Sequence, residues 1–156
     1  MTSELLHQVP SELAAPLQWL GRAQLSYYFE VPEQTPSNNE LKGMHFHAYR
    51  KLRSRWKSHI LQHGLKLRLP TEPIKNAALL VDRQCAGALD WDNAMGGLKP
   101  LLDCLVTAKK ANPDGLGLIM DDNPRNMPFP PLLVQSKAPR GEGRTRIWIY
   151  TLDGPA

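Results

Sequence analysis

Four aspartates and one lysine carry the most chemistry in this chain. Asp90 and Asp92 lie two residues apart in Asp90-Trp91-Asp92-Asn93. In an extended segment, residues two apart share a face. Both could then offer oxygens to one hard cation such as Mg²⁺. The same four residues read equally as a surface turn, or as a helix N-cap by Asp92 or Asn93. Asp121-Asp122 follows the apolar run 116–120, so a second carboxylate pair is expected at the end of a short buried strand. Three or more carboxylates converge only where a metal, a proton or another cation offsets their repulsion. Lys99 is spaced i,i+4 from Asp103. That pair is either a surface ion pair worth about 0.2–0.5 kcal/mol, or a lysine that turns back to the carboxylates and stabilises charge on a phosphate.

The elements that must position these residues can be read from periodicity. Segment 25–31 is rich in aromatic and β-favouring residues, stops at Pro32 and reads as a strand. Residues 32–39 contain two prolines, then Ser and Asn, and read as loop. Segment 45–63 predicts a helix: Phe46, Tyr49, Leu52, Trp56 and Ile60 recur at three or four and form an apolar stripe. Arg50, Lys51, Arg53, Arg55 and Lys57 fall mostly off that stripe, and Gly64 ends it. Segment 74–81 predicts a second strand. Leu98, Leu101, Leu102, Leu105 and Val106 predict a second helix with Pro100 in its first turn. Segments 132–137 and 144–150 predict a hairpin around Arg140-Gly-Glu-Gly143. A helical pattern around Leu13, Leu17 and Leu20 makes residues 1–24 an expected N-terminal extension to a main domain of 25–156. Trp56 and Trp91 read as packing residues.

Charge divides along the same lines. The chain has 156 residues and a net charge of +4. Residues 1–40 sum to −4, 41–69 to +8 with no acid at all, 70–122 to −3, and 123–156 to +3. A basic stretch without acids cannot be explained by i,i+4 ion pairs. It is either a solvated helix face or a surface for phosphates. The length suits one domain. No apolar run is long enough to cross a bilayer, so no membrane span is expected. Two cysteines, Cys85 and Cys104, do not form a CxxC, so zinc and a disulfide framework are not expected. No secretory pattern opens the chain, and a cytoplasmic location is expected.

Taken in order, the chain runs strand, Pro36-Ser37-Asn38-Asn39, basic helix, strand, Asp90-Trp-Asp-Asn93, a helix with Lys99-x-x-x-Asp103, a strand ending in Asp121-Asp122, and a hairpin. Over residues 25–150 this resembles the RusA family of endodeoxyribonucleases, Holliday junction resolvases often encoded by phages and prophages. The resemblance implies an α+β fold, one small domain with a mixed β-sheet packed against helices. It implies a homodimer that resolves four-way DNA junctions by paired nicks in recombination and repair. It implies Mg²⁺, with Mn²⁺ as a substitute, held by Asp90, Asp92 and Asp122 (with Asp121 beside it), and Lys99 as the catalytic lysine. The chain departs from the family in two places. Ala94-Met-Gly-Gly97 separates the lysine further from the DxDN motif, and Gln84–Leu89 has no basic cluster.

On this reading Arg50, Arg53 and Lys57 on the basic helix, with Arg140, Arg144 and Arg146 near the C-terminus, would contact the DNA backbone. The alternative is a non-catalytic DNA-binding protein whose carboxylates are structural. A nucleotide-sugar transferase with an Asp-x-Asp motif is a third reading, for which the chain is short.

Overall fold

Segment 23–31 carries alternating aromatic and aliphatic side chains that favour a pleated surface, and it forms the edge of a sheet. The computed structural model describes residues 23–64 and 69–152. In chain order the elements are β1 (Ala23–Val31), α1 (Asn38–Lys42), α2 (Phe46–His63), β2 (Ala77–Cys85), α3 (Trp91–Gly96), α4 (Lys99–Leu105), β3 (Leu132–Lys137) and β4 (Arg144–Leu152). The four strands form one mixed sheet in the order β1-β4-β2-β3. β4 runs antiparallel to both β1 and β2, whereas β3 runs parallel to β2. The architecture is the expected α+β domain. The helical pattern expected in residues 1–22 lies outside the described residues.

The sheet buries two faces. On one, Phe29, Val31, Leu79, Val81, Leu133, Ile147 and Ile149 pack against Leu52, Trp56 and Ile60 of α2 and Leu101, Cys104 and Leu105 of α4. On the other, Ala78 and Leu80 meet Trp148 and Tyr150. β2 and β4 each have a partner on both edges. They are buried and apolar on both faces over 77–81 and 147–150, as central strands require. Among the described residues no helix is long and apolar enough to cross a membrane.

Four expectations change. The second strand runs over 77–85 rather than 74–81, because the polar run Asp82-Arg83-Gln84 finds partners inside the fold. Segments 132–137 and 144–150 are strands but not a hairpin: β2 lies between them. Two strand-like runs around a glycine turn satisfy the hairpin pattern. A central strand with two open edges captures each of them separately. The turn persists, with Glu142 N–H donating to Pro139 O at 3.0 Å and Gly141 at a φ of 84° that favours glycine. Segment 116–120 is no strand. Ile119 alone bridges Ile74 and Val106, and pairing cannot extend because Val106 closes a helix. Loop 32–39 gives way to α1 at Asn38.

Candidate active site

The Pro36–Asn39 turn and the Asp90–Asn93 motif are joined. Ser37 caps α1 by a capping box: its Oγ accepts from Glu40 N–H at 3.1 Å, and Glu40 Oε2 accepts from Ser37 N–H at 3.3 Å. The Ser-x-x-Glu spacing was a signal for this helix. Asn39 N–H donates to Asn93 Oδ1 at 2.9 Å, which ties α1 to α3. Gly96 and Gly97 make the approach possible. A Cβ on Gly97 would lie 1.7 Å from Pro36 O, and one on Gly96 would lie 2.5 Å from Asn38 Cγ. The extra residues before Lys99 thus form the bed on which the turn rests. Gly97→Ala is expected to cost about 1–3 kcal/mol by overpacking. Gly87→Ala, where a Cβ meets nothing within 4 Å, is the control. Urea unfolding checks the two variants, and equal midpoints would deny the close approach its importance.

Asp90 and Asp92 do not share an extended face. Asp90 is the N-cap residue of α3, without a side-chain capping bond, and Asp92 stands in its first turn. A proline-free, polar start such as Trp-Asp-Asn favours helix entry over continued extension. Acids are tolerated in a first turn by the helix dipole. Both side chains are exposed and make no hydrogen bond or ion pair among the described residues. Trp91 between them is 62% exposed, so it is not the packing residue expected; Trp56 is, at 0%.

Lys99 opens α4, directly after α3. Its Nζ lies 3.3 Å from Asp103 Oδ2 and 5.8 Å from the centre of the Tyr49 ring. Tyr49 belongs to the apolar stripe by spacing, yet its hydroxyl donates to Asp103 Oδ2. Burial first, and then that bond and the Asp103 charge, hold the Tyr49 hydroxyl well above the usual tyrosine range. Asn112 Nδ2 donates to Asp103 O at 2.7 Å. Neighbouring Cys104 is buried, and that burial, followed by the charges of Asp114 and Asp103, pushes its thiol up to about 12.

The later aspartates divide their roles. Asp121 takes Lys109 Nζ at 2.9 Å, and this bond draws its carboxyl below the usual value. Asp122 has no cation among the described residues. It is exposed by area, yet loss of hydration at the carboxyl, followed by Asp121 and the charge of Asp103, raises its pKa. Asp122 is thus the carboxylate of the pair left uncompensated. Lys99, Asp103 and Asp122 are brought within electrostatic reach of one another. Among the described residues, no three Asp, Glu, His or Cys side chains gather around one point. The donors are nevertheless the hard carboxylate oxygens that Mg²⁺ takes. Mg²⁺ commonly uses one or two carboxylates, with water and substrate phosphate completing its shell. Asp90, Asp92 and Asp122 fit that mode, not an all-protein cage.

The basic residues sort differently from their expected roles. Arg53 is 5% exposed and bonded to Asp114 at 2.8 Å, so it faces the fold and not solvent. Arg146 is held by buried Asp82 at 2.6 Å on the other face of the sheet. Both are removed from the expected DNA contacts. Arg55 pairs with Glu33, as does His59 at 3.1 Å, and Arg144 pairs with Glu30 at 2.8 Å. Acids from distant segments therefore answer part of the basic run. Arg50, Lys51, Lys57 and Arg140 make no ion pair among the described residues; Arg50 stacks over Phe46 at 5.1 Å.

No protein-family model matches this sequence, and no curated protein matches it.

Proposed function

We propose that the protein is a Mg²⁺-dependent endonuclease that nicks branched DNA, as its resemblance to the RusA family implies. The observation that carries this reading is the docking of the Pro36–Asn39 turn onto the Asp90–Asn93 motif through Asn39 and Asn93. Two stretches 54 residues apart, both part of the resemblance, come to one place, with Lys99 at the start of the next helix. Asp90, Asp92 and Asp122 would hold Mg²⁺. The ion would lower the pKa of a bound water and stabilise charge on the phosphate. Lys99 would exchange its bond to Asp103 for the phosphate oxygens. Exposed Trp91 offers a flat face to an unstacked base. The products expected are a 5′-phosphate and a 3′-hydroxyl. Paired nicks on opposite strands require two sites, hence a homodimer. A cytoplasmic site of action suits a DNA substrate.

The direct test is a labelled four-way junction incubated with the protein and Mg²⁺, then with EDTA. Metal-dependent nicks in opposed strands support the proposal. The second reading, a DNA-binding protein without catalysis, draws support from the ungathered carboxylates. It predicts junction binding without nicks under any metal.

Both readings use the basic helix, and the three cations that make no ion pair among its described neighbours define the experiment. Replacing Arg50, Lys51 and Lys57 with Gln should weaken DNA binding. It should also flatten the log–log salt dependence by about one unit for each phosphate no longer neutralised. Fluorescence anisotropy across a salt series measures the slope. An unchanged slope would reduce this face to solvated surface.

A further inference from the structure

Three arginines are withdrawn from solvent, and two have carboxylates: Arg53 has Asp114 and Arg146 has Asp82. Arg83, on β2, has none among the described residues. It is 3% exposed, and its Nε donates to Thr35 O at 2.9 Å. Its Nη1 is buried without a hydrogen-bond partner among the described residues, and so is Oγ1 of Thr35, which is 0% exposed. A buried cation without a counter-charge is costly, and a fold retains one where something else uses it.

Both groups line one cleft of about 270 Å³ between the 33–36 loop and α2. That is several times the share of about 30 Å³ that one water takes in the liquid. Its wall includes Glu33, Glu40 and Arg55. The two carboxylates are already engaged: Glu33 by Arg55 and His59, Glu40 by the Ser37 N–H. What the cleft presents unanswered is one guanidinium edge and one hydroxyl.

We propose that this cleft binds a phosphate oxyanion, with Arg83 Nη1 and Thr35 Oγ1 as donors. A phosphate has several acceptor oxygens for a guanidinium and a hydroxyl at once, and Arg–phosphate bonds are strong and directional. Pro36 lines the cleft and also presses its carbonyl toward Gly97, so the cleft adjoins the turn docked on α3. Its ligand is therefore a backbone phosphate of the DNA, a step that rests on the nuclease reading. Free phosphate shares the chemistry, and the experiment separates the two.

The experiment compares wild type, Thr35→Val and Arg83→Met. Thr35→Val removes the hydroxyl at nearly constant volume, so it decides the matter should Arg83→Met fail to fold. Calorimetric titration with inorganic phosphate, against chloride at equal ionic strength, is the first arm. Anisotropy of a labelled four-way junction without Mg²⁺ is the second. In either arm Thr35→Val is expected to weaken binding about tenfold, the effect of losing one charge-assisted hydrogen bond. A change in the junction arm alone, or in both, identifies the DNA phosphodiester. A change in the phosphate arm alone identifies free anion. Wild-type affinity of Thr35→Val in both arms overturns the proposal and leaves Arg83 a solvated structural cation. A wild type that never nicks DNA, yet binds phosphate through Thr35, sinks the nuclease reading and keeps the cleft.

Discussion

Asp92→Asn is expected to reduce Mg²⁺-dependent nicking of a four-way junction by about a thousandfold, with no loss of fold. A single charge withdrawn from a metal-held phosphate costs several kcal/mol of barrier, and each 1.36 kcal/mol is about tenfold in rate. Asparagine keeps the shape and removes the charge. Asp90 and Asp92 have no side-chain partner among the described residues to lose. The stability change should therefore stay within about 0.5 kcal/mol, as for other exposed substitutions. Asp103→Asn makes an informative contrast, because Asp103 already holds Lys99 and Tyr49. It should disturb the melt as well as the rate. Single-turnover nicking and thermal unfolding of the same preparations check both halves. Undiminished nicking by Asp92→Asn would remove the aspartate from the chemistry.

The second large effect concerns stability. Asp82 is fully buried in the central strand and accepts from Arg146 Nη2 at 2.6 Å, Ser136 Oγ at 2.6 Å and Ser136 N–H at 3.3 Å. Asp82→Ala leaves Arg146 and both Ser136 donors without their acceptor. Removing one partner of a buried pair costs about 3–5 kcal/mol, whereas replacing both by apolar residues of similar volume is close to neutral. Asp82→Ala should therefore shift the urea midpoint far down. The double change Asp82→Leu with Arg146→Met should recover most of the loss. Equal losses in the single and double variants would show that the pair is not the source. The same geometry explains why Arg146 cannot also track DNA: its guanidinium is engaged by Asp82.

The differences between expectation and structure share a cause. Arg53 sits in a run of basic residues with no acid nearby in sequence, and sequence spacing alone sends it outward. Asp114, 61 residues away, brings it in. Arg146 is decided the same way by Asp82, 64 residues away. Tyr49 was legible as part of an apolar stripe, but its hydroxyl had no visible destination until α4 packed on α2. Gly96-Gly97 looked like filler, because a close approach leaves no local trace when its partner is Pro36.

Local order determined a good deal by itself. The strand at 25–31, the amphipathic helix ending at Gly64, the helix with Pro100 and the α+β class all follow from periodicity, capping and turn residues, which act over a few positions. The candidate carboxylates and Lys99 were also visible as residue types at defined spacing. Tertiary structure alone decided which strand lies beside which, because an apolar central strand accepts any matching edge. It decided that Asp121 is neutralised by Lys109 while Asp122 is left uncompensated. It decided which cations remain free for a partner, since an ion pair depends on distance in space and not along the chain. It also left Arg83 without a counter-charge at the floor of a cleft, a property that exists only once the 33–36 loop closes over β2.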